Sequence, residues 1–182
     1  MRELIDAFFR ERSIVNHHLA SFNDFLDRRL QEIIKTTRVG EGEGEGLEMG
    51  YIHPEIEGYK IKLGKIRVGR PVVKEANEEE HVITPAEARL RDLTYEAPVF
   101  VEFIPVIEGK ERNDLAEEAR IGTLPIMVKS KKCNISREVL EQEAGRRLND
   151  DEYEKKLIEA QEDPLDPGGY FIINGTERVL VG

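Results

Sequence analysis

The chain has 182 residues, 39% hydrophobic and 35% charged, with 37 acidic against 27 basic side chains and a formal charge of −10. That length allows one substantial core, the apolar runs exclude a disordered chain, and the negative balance excludes a protein that coats nucleic acid by bulk electrostatics, so contact with DNA requires a local basic patch. The single cysteine, Cys133, excludes an internal disulfide and a cysteine-based zinc site built from this chain alone.

At the start, Leu4, Ile5, Phe8 and Phe9 predict a short helical segment rather than a secretory leader. Val15, Leu19, Phe22, Leu26, Leu30 and Ile33 then recur every three or four positions, which predicts an amphipathic helix from Ser13 to Thr37. It ends before alternating Gly and Glu from Gly40 to Gly46, a flexible loop whose glutamates would repel a phosphate. From Tyr59 the period changes to two. Tyr59, Ile61 and Leu63 take one side and Lys60 and Lys62 the other; at Gly64 the phase slips, so that Ile66 and Val68 become apolar and Lys65 and Arg67 polar. One inserted residue has that effect, and it predicts a β-bulge at Gly64.

Thr84-Pro85-Ala86-Glu87 reads as a helix start, with Thr84 as N-cap, Pro85 at the first helical position and Glu87 completing a capping box. Strands are predicted at Val99–Ile104 and Ile121–Val128, the latter an edge or bulge because Pro125 lacks an N–H. Helices follow at Ser136–Arg147 and Asn149–Glu162, the second opening with Asn149 and Glu152 at capping-box spacing. Asn174-Gly175 between two apolar runs predicts a hairpin with a type I′ turn. Its second strand runs to Gly182 without a closing polar tail, from which a longer polypeptide is expected. The fold class is α+β: a long N-terminal helix and short helices on a mixed or antiparallel sheet, with a C-terminal hairpin. The predicted organisation is one domain over 1–182, comprising a helical N-terminus (1–37), a loop (40–50) and an α+β body (59–182).

No constellation for catalysis stands out. His17 and His18 are adjacent, and His53 and His81 stand alone, so the spacing of helical metal ligands is missing. Cys133 follows Lys129, Lys131 and Lys132, a basic neighbourhood that can activate a thiol; a small half-buried cysteine is the plainer reading. A hydrolase using Asp163 or Asp166 would require perturbed carboxylates in a cleft, of which the sequence gives no sign. The basic row Lys60, Lys62, Lys65, Arg67 and Arg70 suits either a polyanion or a solvated sheet face. Ion pairing with the acidic helices is expected for Arg89 and Arg91.

Five segments in order resemble the second-largest subunit of cellular RNA polymerases, in its archaeal and eukaryotic form. They are Ser21–Leu26, Leu63–Pro71, Pro85–Tyr95, Ile121–Ser130 with Cys133, and Gly168–Leu180, the last (Gly-Gly-Tyr-Phe-Ile-Ile-Asn-Gly-Thr-Glu-Arg-Val-Leu) being the most distinctive. The resemblance implies the protrusion, a non-catalytic lobe that lines the active-centre cleft and is completed by a later segment of the same subunit. Implied partners are the largest subunit, the rest of its own subunit, promoter and template DNA and initiation factors, with no membrane. No cofactor is implied in this segment, since the family's catalytic magnesium is bound by the largest subunit. Cytoplasmic localisation is expected, or nuclear in the eukaryotic case. With that role, Lys65, Arg67, Lys131 and Lys132 become the candidate DNA-backbone contacts. The alternative is a stand-alone acidic α+β module that binds another protein and has no nucleic-acid role.

Overall fold

The apolar stripe that begins at Val15 folds as a helix with a defect in it. The computed structural model describes residues 14–40, 48–75 and 79–181. Within them, α1 (Asn16–Asp24) continues through a π turn at Phe25–Arg29 into α2 (Leu30–Thr36). A π turn inserts one residue into the helical register and so rotates everything after it. Ile33, expected on the covered face, is 50% exposed, while Leu30, Gln31 and Ile34 are half-buried. The predicted segment at Leu4–Phe9 and the Gly/Glu loop after Gly40 lie outside the described residues.

The chain packs into two compact units. The sheet unit holds Asp24–Gly69 and Pro98–Gly122. Its six strands are β1 (Arg38–Gly40), β2 (Tyr51–His53), β3 (Tyr59–Val68), β6 (Glu96–Ile107), β7 (Lys110–Glu111) and β8 (Glu117–Pro125), in the order β1-β2-β3-β6-β7 with β8 also on β6. β1 and β2 are parallel, whereas β3 and β6 run antiparallel. Leu63, Ile66 and Val68 lie opposite Phe103, Val101 and Val99, a cross-strand arrangement that buries Leu63, Val68, Val99 and Val101. The predicted strand at Ile121 begins earlier, at Glu117, and ends at Pro125.

The bulge predicted at Gly64 is present. Between the pairs Leu63–Phe103 and Ile66–Val101, two residues on β3, Gly64 and Lys65, face one on β6, Glu102. Two side chains take up the backbone groups this releases. Gln31 on α2 donates Nε2–H to the Gly64 carbonyl (3.0 Å) and accepts the Ile66 N–H on Oε1 (3.1 Å), and Glu102 accepts the Lys65 N–H (3.2 Å). A Cβ at Gly64 would lie 2.4 Å from the Glu102 carboxylate, so a larger residue there would have to displace that side chain from the Lys65 N–H. Gln31→Ala is therefore expected to cost about 1–3 kcal/mol, since it strands one donor and one acceptor; a urea midpoint shift of that size checks it, and an unchanged midpoint would reject the role of Gln31.

The second unit comprises the residues up to Asn23, Arg70–Ala97 and those from Thr123. It contains the hairpin β4 (Val72–Lys74) with β5 (Glu80–Val82), the helices α3 (Pro85–Leu90), α4 (Arg137–Ala144) and α5 (Asp150–Glu159), and the hairpin β9 (Phe171–Ile173) with β10 (Thr176–Arg178). Thr84 caps α3, accepting the Glu87 N–H at 3.2 Å, but the Glu87 carboxylate turns to Arg91 and His81. Both helices after Ile135 stop short of their predicted ends: Gly145 closes α4 in the left-handed conformation (φ 66°), and α5 ends at Glu159. Asn174 and Gly175 take the positive φ values (48° and 72°) of the predicted turn.

The core of this unit includes Ile83, Tyr95, Ile126, Val128, Cys133, Ile135, Leu157 and Ile172. At its centre, Asn134 donates both amide hydrogens to backbone carbonyls, Pro71 at 2.8 Å and Ile83 at 2.7 Å, and accepts from Arg70 Nε at 2.8 Å. Its own N–H goes to the Tyr95 hydroxyl (2.8 Å). One buried side chain thus ties the end of the β4–β5 hairpin, where the Ile83 N–H also meets the Pro71 carbonyl at 3.3 Å, to the turn that carries Asn134.

The Asn149–Glu152 capping box forms in full. Arg146 first, then the Asn149 N–H, hold the Glu152 carboxyl at about 2, below its ordinary 4.5. A depressed acid stabilises the fold above its unfolded value and loses that contribution as pH falls through the folded one. Helix content and stability are thus expected to decline from about pH 4.5 toward about 2, with Glu152→Gln reducing the decline in circular dichroism. An identical acid profile in the variant would contradict this. Among the described residues no helix is long and apolar enough to cross a membrane.

Candidate nucleic-acid interface

The four basic residues singled out from the sequence divide between the units. Lys65 and Arg67 belong to the sheet unit, Lys131 and Lys132 to the other. On β3 the register sets Lys60 opposite Val106, Lys62 opposite Ile104 and Arg67 opposite Phe100. Ile104 and Val106 are buried, so the lysine stems border apolar surface while their ammonium groups reach outward. Each of these three cations has a carboxylate partner: Lys60 with Glu48 (2.9 Å), Lys62 with Glu111 (2.7 Å) and Arg67 with Glu118.

The Arg67 pair is the bidentate one of the three. Nε and Nη2 donate to the two Glu118 oxygens at 2.9 and 2.5 Å, and the guanidinium lies 4.2 Å from the Phe100 ring centroid. Glu118 is held below the ordinary carboxylate value by these hydrogen bonds. Lys65, lifted by the bulge, is exposed, and no carboxylate among the described residues pairs with its ammonium. Arg70 is bound to Asn134 and to Glu143 (2.7 Å), which makes it part of the second unit's framework.

Lys131 and Lys132 sit in a series of tight turns, Ser130 N to Met127 O, Cys133 N to Ser130 O and Ser136 N to Cys133 O. The Lys131 N–H is anchored by Asn23 Oδ1 at 3.0 Å; its side chain is exposed and that of Lys132 half-buried. Cys133, next in sequence, is fully buried against the Tyr95 hydroxyl (3.4 Å), and burial pushes its thiol up, away from reactivity.

The remaining chemical candidates serve as joints. His53 Nε2 accepts the Glu48 N–H (3.2 Å), and His81 lies between Glu75 and Glu87. Among the described residues no group of His, Cys, Asp or Glu is placed to hold a metal ion. A cleft of about 340 Å³ is lined by Arg89, Gln161, Glu162, Asp163, Asp166, Tyr170 and Glu177. Inside it Arg89 binds Glu162 (3.1 Å), Glu177 (2.8 Å) and the Tyr170 hydroxyl (2.6 Å), and Tyr170 donates to Asp166. Burial pushes the Tyr170 hydroxyl up and Asp166 raises it further, which keeps it a donor. Asp163 and Asp166 also accept the N–H groups of Leu165 and Gly168, so both hydrolase candidates are turn-forming residues. Arg91, expected to meet the acidic helices, pairs instead with Glu75 and Glu87.

The residues that sequence reasoning missed are Glu118, Glu102, Gln31 and Phe100. Glu118 is 51 positions from Arg67 and Gln31 is 33 from Gly64, distances at which spacing carries no signal.

Comparison with known proteins agrees with the resemblance. A sequence profile described as RNA polymerase beta subunit matches residues 13–182. The DNA-directed RNA polymerase subunit Rpo2N of Methanocaldococcus jannaschii is 46% identical over the whole chain, which spans 32% of that relative. Rpo2 of Saccharolobus shibatae is 45% identical over 98% of the chain and 13% of its own length, and Rpo2N of Halobacterium salinarum is 39% identical over 99% of the chain and 31% of its own. The chain thus spans a third or less of the relatives it matches. With a family profile covering nearly every residue and archaeal relatives matched along essentially the whole of this chain, the chain belongs to the RNA polymerase beta subunit family.

Proposed function

We propose that the chain is a non-catalytic part of the second-largest subunit of a DNA-directed RNA polymerase, where it forms part of the cleft wall that holds DNA. The observation that carries this reading is the family match from residue 13 to 182. Lys65, Arg67, Lys131 and Lys132 act as sequence-independent contacts to the phosphate backbone. The largest subunit and the rest of this subunit are its partners, initiation factors dock on the same lobe, and the catalytic magnesium is held by the largest subunit, outside this chain. Local positive charge on an acidic body fits that role, since it attracts phosphate at chosen points without coating the protein in nucleic acid.

The test is the salt dependence of promoter-DNA binding by purified polymerase in which all four residues are replaced by glutamine. Binding is expected to weaken, and the slope of log affinity against log salt to flatten by roughly 0.9 for each phosphate that is no longer neutralised. Unchanged affinity and slope would reject the backbone-contact role.

A further inference from the structure

The Nε/Nη2 edge of Arg67 is already occupied by a carboxylate. Glu118 meets the guanidinium through two parallel hydrogen bonds, Nε at 2.9 Å and Nη2 at 2.5 Å, the same fork that a phosphate oxygen pair would use. Phe100, its cross-strand partner on β6, holds the guanidinium plane from one side at 4.2 Å. Both charged groups remain accessible, with side-chain exposures of 53% for Arg67 and 44% for Glu118. Water and salt limit an exposed pair to about 1 kcal/mol, with bidentate geometry placing this one toward the top of that range, so another bidentate anion can compete for the fork without dismantling the fold.

We infer that Glu118 is an internal phosphate mimic: it occupies the Arg67 fork in the absence of nucleic acid and is exchanged for a backbone phosphate on binding. This rests on the reading of Arg67 as a DNA contact and adds a regulatory element to it. The ring of Phe100 keeps the guanidinium in place during the exchange, and Glu118, on the highly exposed strand β8, has room to withdraw. Lys65, two residues before Arg67 on β3, has no such competitor among the described residues and binds first. The device lowers affinity for stray polyanions while leaving a preformed Arg site for DNA that is already held nearby.

The experiment is an affinity measurement on the purified polymerase with a duplex DNA probe, at several salt concentrations, for four forms: the parent, Glu118→Gln, Arg67→Ala, and the double variant. Removing the competitor is expected to raise affinity roughly two- to fivefold, the range of an exposed ion pair. That gain should vanish when Arg67 is also replaced, because the effect passes through the Arg67 fork. If Arg67→Ala weakens binding but Glu118→Gln changes nothing, the exchange is wrong and the contact stands. If Glu118→Gln gives the same gain in the Arg67→Ala background, Glu118 acts only as a distant negative charge and the mimic is overturned. If neither single variant alters binding, Arg67 is not a contact and both readings fail there.

Discussion

Arg89→Met is expected to destabilise the second unit by about 3–5 kcal/mol at neutral pH, the cost of leaving one member of a buried ion pair without its partner. The side chain of Glu162 is 3% exposed, and its carboxylate faces the Arg89 guanidinium at 3.1 Å. Burial pulls the Arg89 guanidinium down, but Glu162, Tyr170 and Glu177 outweigh it and keep the group charged. Glu162 itself lies above its ordinary 4.5, raised by burial against the pull of Arg89. Methionine preserves most of the aliphatic stem and removes only the charge and the donors. With Arg89 gone, burial acts on Glu162 unopposed and its carboxyl rises further.

The pH dependence gives this prediction its signature. An acid whose folded value is raised destabilises the fold once it ionises there, and imposes no such penalty below its unfolded value, where both states are protonated. The deficit of Arg89→Met should therefore be largest at neutral pH and shrink as the pH falls through the raised Glu162 value. Adding Glu162→Gln should recover part of the loss, because an amide needs no counter-charge. Urea titrations at several pH values check all three points; a deficit below about 1 kcal/mol would mean that the exposed neighbours, not the buried pair, dominate this cleft.

The second large effect is expected at Asn134. Replacing it by alanine removes the amide donor to the Ile83 carbonyl, leaves the Pro71 carbonyl with only the Ile83 N–H at 3.3 Å, and takes one partner from Arg70, which keeps Glu143, at about 1–3 kcal/mol for a buried group left unsatisfied. Since the Asn134 N–H to Tyr95 bond is made by the backbone, it survives the substitution. A total of about 2–4 kcal/mol is expected, allowing for partial relaxation. Asn134→Asp should be no better, because it sets a carboxylate oxygen against the two carbonyls that the amide now donates to. A loss under about 0.5 kcal/mol for Asn134→Ala, in the range of ordinary surface changes, would show that this junction is not what ties the β4–β5 hairpin to the Asn134 turn.

Much of the local structure is legible in the sequence because it is encoded within a few residues. The phase slip at Gly64 predicts the bulge, Asn174-Gly175 the hairpin and Asn149 with Glu152 the capping box, and all three are present. Failures occur where the cause lies elsewhere in the chain. The π turn at Phe25–Arg29 is invisible to a three- and four-residue stripe, which therefore puts Ile33 on the wrong face. Glu87 fits the capping-box pattern, but Arg91 and His81 compete for its carboxylate. The basic row on β3 is legible as a row, while its neutralisation by Glu48, Glu111 and Glu118 depends on tertiary pairing. Periodicity also does not report which elements share a core, so the division into two units has no local signature.

Whether Lys65 and Lys131 face the DNA backbone in the assembled enzyme, as the proposed role requires, is tested most directly by site-specific photocrosslinking. A photoreactive residue is placed at Lys65, at Lys131 and, as a reference, at exposed Glu154 on α5, in polymerase bound to labelled promoter DNA. DNA crosslinks from the first two positions are expected well above those from Glu154. Crosslinks from Lys65 and Lys131 to protein alone, with DNA labelling no higher than at Glu154, would contradict the cleft-wall role.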